Sequence, residues 1–265
     1  MDPKLKRLDF KTLALSTSDF LMPRVCLCCG RQLLPYERHL CCVCLADLPL
    51  THFEGQRVNP MADKLNSRID AEGYLRAAAL FYYSGDYKKI TQALKYGRNF
   101  SAGRWFARLL GERLAAAGWC ADLVCPVPLH WTRRIKRGYN QAEVIGRELA
   151  RLLGVPFEPR LLRRGRRTGT QTRLSGEERV QNVTGAFCVN PVFRPSGKRP
   201  LFADGRANLG RPYGNTALNT DGKLRVLLVD DVFTTGATLA ACCRALQEAF
   251  GNGVEIAVAT LAFVD

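Results

Sequence analysis

The chain has 265 residues, 47% of them hydrophobic, with 39 Lys and Arg against 24 Asp and Glu for a formal net charge of +15. That apolar share can bury a substantial core, and the lack of any window of 18 or more apolar residues excludes a membrane-spanning class. The cationic surplus points to anionic partners, either a highly phosphorylated small molecule or a nucleic-acid backbone, and binding of either would weaken as salt rises.

The first strong signal in chain order is a pair of knuckles, Cys26-x-x-Cys29 and Cys41-x-x-Cys44, separated by 11 residues. This is close to the spacing that closes a tetrahedral four-thiolate Zn2+ site. So small a module needs a metal or a disulfide to hold it. The first 25 residues carry Lys4, Lys6, Arg7, Asp9, Lys11 and Asp19 and contain no continuous apolar stretch of signal-peptide type, which is expected of a cytoplasmic protein. Thiols stay reduced in that compartment, so Zn2+ is favoured over cystine. No open coordination position is implied, and the metal reads as structural. Cys28 and Cys42 leave other pairings geometrically open; the two-residue gap selects Cys26, Cys29, Cys41 and Cys44. His39 can substitute in principle, but reads as a surface residue of the turn between the knuckles. Residues 24–50 form this zinc-ribbon-like module.

Residues 51–72 read as a polar connector, and residues 73–265 as a second, larger domain. Its first strand is expected over residues 76–83. Lys95 follows in the stretch Ala93-Leu-Lys-Tyr-Gly-Arg98; a lysine on an amphipathic stretch is usually a surface residue, and no chemistry is assigned to it. Phe106, Leu109, Leu110, Leu114 and Ala117 then recur at helical spacing.

A short apolar run over residues 122–124 leads into Cys125-Pro-Val-Pro-Leu-His-Trp-Thr-Arg-Arg-Ile-Lys-Arg-Gly-Tyr-Asn-Gln141, read as a loop. Arg133, Arg134, Lys136 and Arg137 give it the charge to neutralise a pyrophosphate, since the arginine fork matches phosphate oxygens. Ala142, Ile145, Leu149, Leu152 and Leu153 continue as a helix, with Asn140 and Glu143 as its capping pair. Arg163, Arg164, Arg166 and Arg167 add charge beyond it, so residues 131–182 hold 13 Lys and Arg against 5 Asp and Glu. Over residues 189–223, Pro191, Pro195, Pro200, Gly205, Gly210, Pro212 and Gly214 break any periodicity, which reads as a disordered or loosely held insertion.

The most informative segment comes last: Val226-Leu-Leu-Val-Asp-Asp-Val-Phe-Thr-Thr-Gly-Ala-Thr238. Residues 226–229 suit a central parallel strand covered on both faces. Asp230 and Asp231 then stand beyond its carboxyl end, where open α/β sheets bind ligands, and ionised carboxylates there accept hydrogen bonds from hydroxyls. Thr234, Thr235, Gly236, Ala237 and Thr238 offer backbone N–H groups and hydroxyls at the start of a helix, whose dipole favours an anion. Leu239, Cys242, Cys243, Leu246 and Phe250 mark that helix and Gly251 its stop. A final strand is expected over residues 254–264. The remaining cysteines, Cys120, Cys125, Cys188, Cys242 and Cys243, lie in apolar patterns and read as small core residues. Leu-Val-Asp-Asp also opens phosphoacceptor receiver domains, but too little sequence follows Asp231 for the rest of such a sheet. A Walker A loop is absent.

This segment resembles the ribose-phosphate signature of type I phosphoribosyltransferases, and within that superfamily the chain resembles the ComF/GntX group, associated with DNA uptake in natural competence and with use of DNA as a nutrient. The resemblance implies an α/β fold, a type I phosphoribosyltransferase-like parallel sheet flanked by helices and preceded by the small four-cysteine zinc module. It implies that Asp230 and Asp231 hold the ribose hydroxyls of phosphoribosyl pyrophosphate, that Thr234 to Thr238 hold its 5-phosphate, and that Arg137, in the recurring core Arg137-Gly-Tyr-Asn-Gln, lies in the pyrophosphate loop with Arg133 and Lys136. It also makes residues 168–187 a hood over the reacting centre, with Gln171-Thr, Leu174-Ser, Arg179 and Asn182-Val resembling recurring positions. The Leu-Lys-Tyr box at Lys95 matches a family habit. The long insertion is a departure from the family pattern.

Two classes of function follow. One is a phosphoribosyltransferase using phosphoribosyl pyrophosphate with Mg2+ and passing the ribose to a base or amine. The other is a non-catalytic module that binds a phosphoribosyl group or nucleic acid during DNA uptake. Partners compatible with the sequence are phosphoribosyl pyrophosphate, single-stranded DNA or the DNA-uptake machinery, and a second copy of the chain in a homodimer.

Overall fold

A computed structural model describes residues 23–69, 74–97, 99–165, 185–193 and 222–265. Most of the expected hood (168–184) and of the expected insertion (194–221) lies outside the described residues, as do Arg98, Arg166 and Arg167.

In chain order the helices and strands are α1 (Cys42–Ala46), α2 (Pro60–Asn66), β1 (Arg76–Tyr82), α3 (Lys88–Tyr96), α4 (Phe100–Ala116), β2 (Leu123–Pro126), α5 (Trp131–Arg137), α6 (Gln141–Leu153), β3 (Leu162–Arg164), β4 (Phe187–Val189), β5 (Leu224–Phe233), α7 (Ala237–Phe250) and β6 (Val254–Phe263). Four strands form a sheet in the order β1-β6-β5-β2, and every pairing in it is parallel. β3 and β4 form a separate antiparallel ribbon. The fold is therefore a parallel sheet flanked by helices, preceded in the chain by the four cysteines.

The two central strands, β5 and β6, are apolar along most of their length, as sheets covered on both faces require. Val229, Val258, Ala259, Leu261 and Phe263 are fully buried. The expected stripe on α4 packs as read: Phe106, Leu110 and Leu114 are fully buried, and Phe106 lies 6.1 Å from the ring of Phe81 on β1. At the amino ends of β2 and β5, buried Asp122 accepts from the Arg225 backbone at 2.7 Å and from its guanidinium at 2.8 Å, pinning the two strands in register.

Residues 51–69 are more than a polar connector. Thr51 donates its backbone N–H to Leu80 at 3.2 Å, Tyr82 donates to Pro49 at 2.8 Å, and α2 buries Met61, Ala62 and Leu65. The signal for α2 was present in Asn59-Pro60: Asn59 caps the helix by accepting from Ala62 at 2.9 Å, and proline suits its first position. The capping pair at Asn140 is half realised. Asn140 accepts from Ala142 at 3.1 Å, but Glu143 turns to Arg134 at 3.4 Å instead of returning to the cap. Of the cysteines expected in the core, Cys125, Cys242 and Cys243 are buried, whereas Cys120 is exposed and Cys188 half-buried.

Phe106→Ala should cost about 3–5 kcal/mol through the cavity left against Phe81, read as a lower urea midpoint with an unchanged slope.

Candidate functional site

Four thiols converge at the amino-terminal module. The Sγ atoms of Cys26, Cys29, Cys41 and Cys44 all lie within 4.8 Å of one another, and that of Cys29 is 3.8 Å from that of Cys41. A tetrahedron of Zn–S bonds has edges of about 3.8 Å. The donor set fits a soft tetrahedral ion and can hold a metal such as Zn2+. Backbone amides support it: Cys41 donates to the Cys26 sulfur at 3.4 Å and Cys44 to the Cys41 sulfur at 3.4 Å. Burial acts to raise the Cys26 thiol, yet the amides of Cys41, Cys29 and Cys28 outweigh it and bring it down to about 7. Cys28 stands outside the cluster, pushed up to about 12 by burial and then by the charge of Cys26. Cys42 also stands outside, exposed beside Arg31.

Glu37 ties the module together. Its buried carboxylate accepts from the amides of Leu34 at 2.8 Å and Cys42 at 2.7 Å and from Arg31 at 3.2 Å. Those amides hold its carboxyl below the usual glutamate range. His39, expected as a surface turn residue, is instead part of the seam with the body. Its ring meets Trp105 edge-on at 5.8 Å and its Nε2 lies 3.3 Å from Ser101 Oγ.

The second candidate site lies at the carboxyl edge of the sheet. β5 does not end before the acids, as expected, but runs on to Phe233 because β6 keeps pairing with it, Asp230 against Thr260 and Phe233 against Phe263. On its other side β2 stops at Pro126, opposite Val229. Asp230 and Asp231 therefore lie within the strand yet past the end of its neighbour, with one backbone edge free of β2. Successive strand residues point to opposite faces, so the acids diverge.

The two carboxylates are used differently. Asp230 Oδ1 accepts from the Asp231 amide at 2.8 Å. Burial first, and the neighbouring Asp231 second, push the Asp230 carboxyl up to about 8. Asp231 is 9% exposed, and its Oδ2 lies 3.3 Å from Lys95 Nζ. That contact lacks hydrogen-bond alignment, and among the described residues Oδ2 has no hydrogen-bonding partner. Lys95 is thus brought to the site although nothing was assigned to it from sequence; the Leu-Lys-Tyr box was the available signal.

Beyond Phe233, Thr234 and Thr235 are exposed and Gly236 opens α7 at φ +75°. A Cβ there would sit 2.5 Å from the Phe233 ring, so glycine is required both by its left-handed backbone and by that contact. The N-cap Gly236 has no side chain to cap α7, and among the described residues no side-chain acceptor meets the Thr238 amide, which is left to an outside acceptor. Thr235 Oγ1 accepts from Ala237 at 3.4 Å.

The cationic segment, expected as a loop, contains the short helix α5, ended by Gly138 at φ +77°. It leaves the carboxyl end of β2, beside the open edge of β5. Arg133, Arg134 and Lys136 are exposed on it, with Trp131 67% exposed at its start and Ile135 74% exposed before Lys136. Arg137 is half-buried, donating to Gln141 at 3.2 Å and lying 5.9 Å from the Tyr96 ring.

Two outcomes test these assignments. Cys29→Ser or Cys44→Ser should lose the bound metal, about one zinc per chain in the parent, while Cys28→Ser keeps it; metal analysis decides. Asp230 is raised above its ordinary value of 3.8 to about 8, so the folded chain holds a proton there that the unfolded chain releases. The resulting penalty is absent below about 4, grows across that window and is complete above about 8. Melting temperature should therefore fall with pH between those limits, and the fall should flatten in Asp230→Asn.

No family profile matches the chain. "Competence protein F" of Haemophilus influenzae is 32% identical over 164 residues, covering 60% of this chain and 61% of that protein. "DNA utilization protein YhgH" of Salmonella typhi is 27% identical over 176 residues, covering 64% and 65%. Its namesake in Escherichia coli strain K12 is 25% identical over 179 residues, covering 66% of each. The chain thus spans less than two thirds of the length of these curated relatives, between 61% and 66%. Among solved structures, the adenine phosphoribosyltransferase of Leishmania tarentolae matches 77% of this chain and 88% of its own at 12% identity, with a TM-score of 0.32. Among the described residues no helix is long and apolar enough to cross a membrane.

Proposed function

The relatives support membership of the ComF family, and on that premise we propose that this chain binds phosphoribosyl pyrophosphate, with its Mg2+, at the carboxyl edge of the sheet and serves DNA uptake in competence or DNA utilisation. The observation that carries the reading is the buried Asp231 Oδ2, which among the described residues lacks a hydrogen-bond donor beside the open edge of β5. A ribose hydroxyl is the donor it wants, because a buried carboxylate oxygen left without one costs about 1–3 kcal/mol or more. Asp230, on the opposite face, reaches the neighbouring hydroxyl round the unpaired strand edge.

The remaining groups fall into place around that anchor. Thr234, Thr235, Gly236, Ala237 and Thr238 receive the 5-phosphate on the uncapped start of α7. Arg137, Arg133 and Lys136 face the pyrophosphate, and Arg137 stabilises its charge as it departs. Mg2+ belongs to the substrate, offsetting the charge of its diphosphate. A base or amine then attacks the anomeric carbon, the bond to pyrophosphate breaks with its electron pair, and the acceptor loses its proton to solvent. The four-cysteine cluster is a structural Zn2+ site in this proposal, in keeping with a cytoplasmic location.

One observation favours a second reading, an accessory protein that binds without turnover. Exposed Trp131 and Ile135 alternate with Arg133, Arg134 and Lys136 on α5, a combination of stacking surface and charge that suits single-stranded nucleic acid.

The test is to incubate the protein with Mg2+, phosphoribosyl pyrophosphate and a panel of bases and amines, following pyrophosphate release and binding by calorimetry. Asp231→Asn should weaken binding about tenfold or more; unchanged affinity rejects the ribose site. Saturable binding with no release favours the accessory reading. So does salt-sensitive binding of single-stranded DNA that Arg133→Ala/Lys136→Ala removes while sugar-phosphate binding persists.

A further inference from the structure

Helix α3 touches the four-cysteine module at one end and both halves of the candidate ligand site at the other. At its start, Lys89 Nζ donates to the Cys28 carbonyl at 2.8 Å and also pairs with Asp86 at 2.8 Å. Tyr87, just before the helix, donates its hydroxyl to the Cys44 carbonyl at 3.2 Å. In its last turn, the Leu94 carbonyl accepts from the Tyr139 hydroxyl, Lys95 Nζ lies 3.3 Å from Asp231 Oδ2, and the Tyr96 ring lies 5.9 Å from the Arg137 guanidinium. Ile90, Thr91 and Leu94 are buried between these ends. Six residues at the helical rise separate Lys89 from Lys95 by about 9 Å, and one short packed helix moves as a body.

We propose that α3 is a strut through which the metal-bound four-cysteine module holds Lys95 in place as the positioning residue for Asp231, and Tyr96 against Arg137. The carbonyls of Cys28 and Cys44, which receive the strut, belong to the turn over residues 26–29 and to the short helix α1, the two segments that carry the ligand thiols Cys26, Cys29 and Cys44. Releasing the ion frees those segments, so the anchor of α3 loosens and the cation withdraws from the acids. Ligand binding at the sheet edge then depends on metal at a site that never touches the ligand.

Among the described residues, the groups facing the acid pair are few. Lys95 comes from α3, Asp231 adjoins Asp230 and raises it, the Cys242 thiol of α7 feels Asp230 and is itself tempered by Arg164, and β6 places Thr260 opposite Asp230. Lys95 is the cation that opposes the upward push on Asp230, so its withdrawal is legible in how the pair titrates.

The inference rests on the phosphoribosyl reading only in its ligand arm, so the experiment has two arms. In ligand-free, zinc-loaded full chain, carboxylate 13C shifts are followed against pH. The Asp230 titration should move to higher pH in Lys95→Met and return in Lys95→Arg. Chelation should move the parent toward Lys95→Met and leave Lys95→Met itself unmoved. Equal shifts in both, or none in the parent, overturn the strut. If chelation unfolds the whole chain, Tyr87→Phe/Lys89→Met, with its zinc content verified, takes its place: an upward shift supports the strut and an unchanged titration overturns it. In the second arm, affinity for Mg2+ and phosphoribosyl pyrophosphate should fall about tenfold in Lys95→Met and by a smaller factor in Tyr87→Phe/Lys89→Met. Absence of binding in the parent rejects the ligand reading, and the titration still decides the strut.

Discussion

Two carboxylates on consecutive residues of a buried strand cannot both be charged cheaply, and much of this molecule is arranged around that constraint. Desolvation and mutual repulsion act together on Asp230, and burial in a medium poorer than water magnifies both. The protein answers with one cation, Lys95, and with the end of β2, which leaves the acids beside an open edge. An acid pair kept at such cost at the carboxyl edge of an apolar sheet is a candidate for a binding role.

The same edge gathers the positive charge. β2 and β5 are parallel neighbours, so their carboxyl ends lie side by side. The chain that leaves β2 becomes the cationic α5, and the chain that leaves β5 becomes the uncapped start of α7. Parallel pairing alone thus brings together residues about a hundred positions apart: the carboxylates of β5, the amides at the start of α7 and the guanidiniums of α5. The Asp122–Arg225 pair at the opposite ends of these strands fixes the register that makes the meeting possible.

The four-cysteine module is joined to this arrangement by more than a tether. Hydrogen bonds from Tyr87 and Lys89, the His39 contact with Trp105, and the pairing of residues 49–51 with β1 seat it on the body. Such a seam makes the small four-cysteine module a structural part of the larger fold.

Regular features with local causes were legible in the amino-acid sequence. Two-residue gaps between cysteines named the four thiols that converge, because a knuckle is a local turn. Helical and strand periodicities named α4, α6, α7 and β6, because burial of one face follows from spacing alone. Gly236 and Gly251 bounded α7, since only glycine sits easily in the backbone they require. What the sequence could not determine was set by partners distant along the chain. β5 extends through the acids because β6 pairs with it; α2 belongs to the core because β1 receives its apolar side chains. His39, half-buried, meets Trp105 across the seam. Lys95 looked like a solvated lysine, and tertiary packing alone carried it to Asp231, because whether a long cationic side chain meets water or a carboxylate depends on what the fold lays beside it.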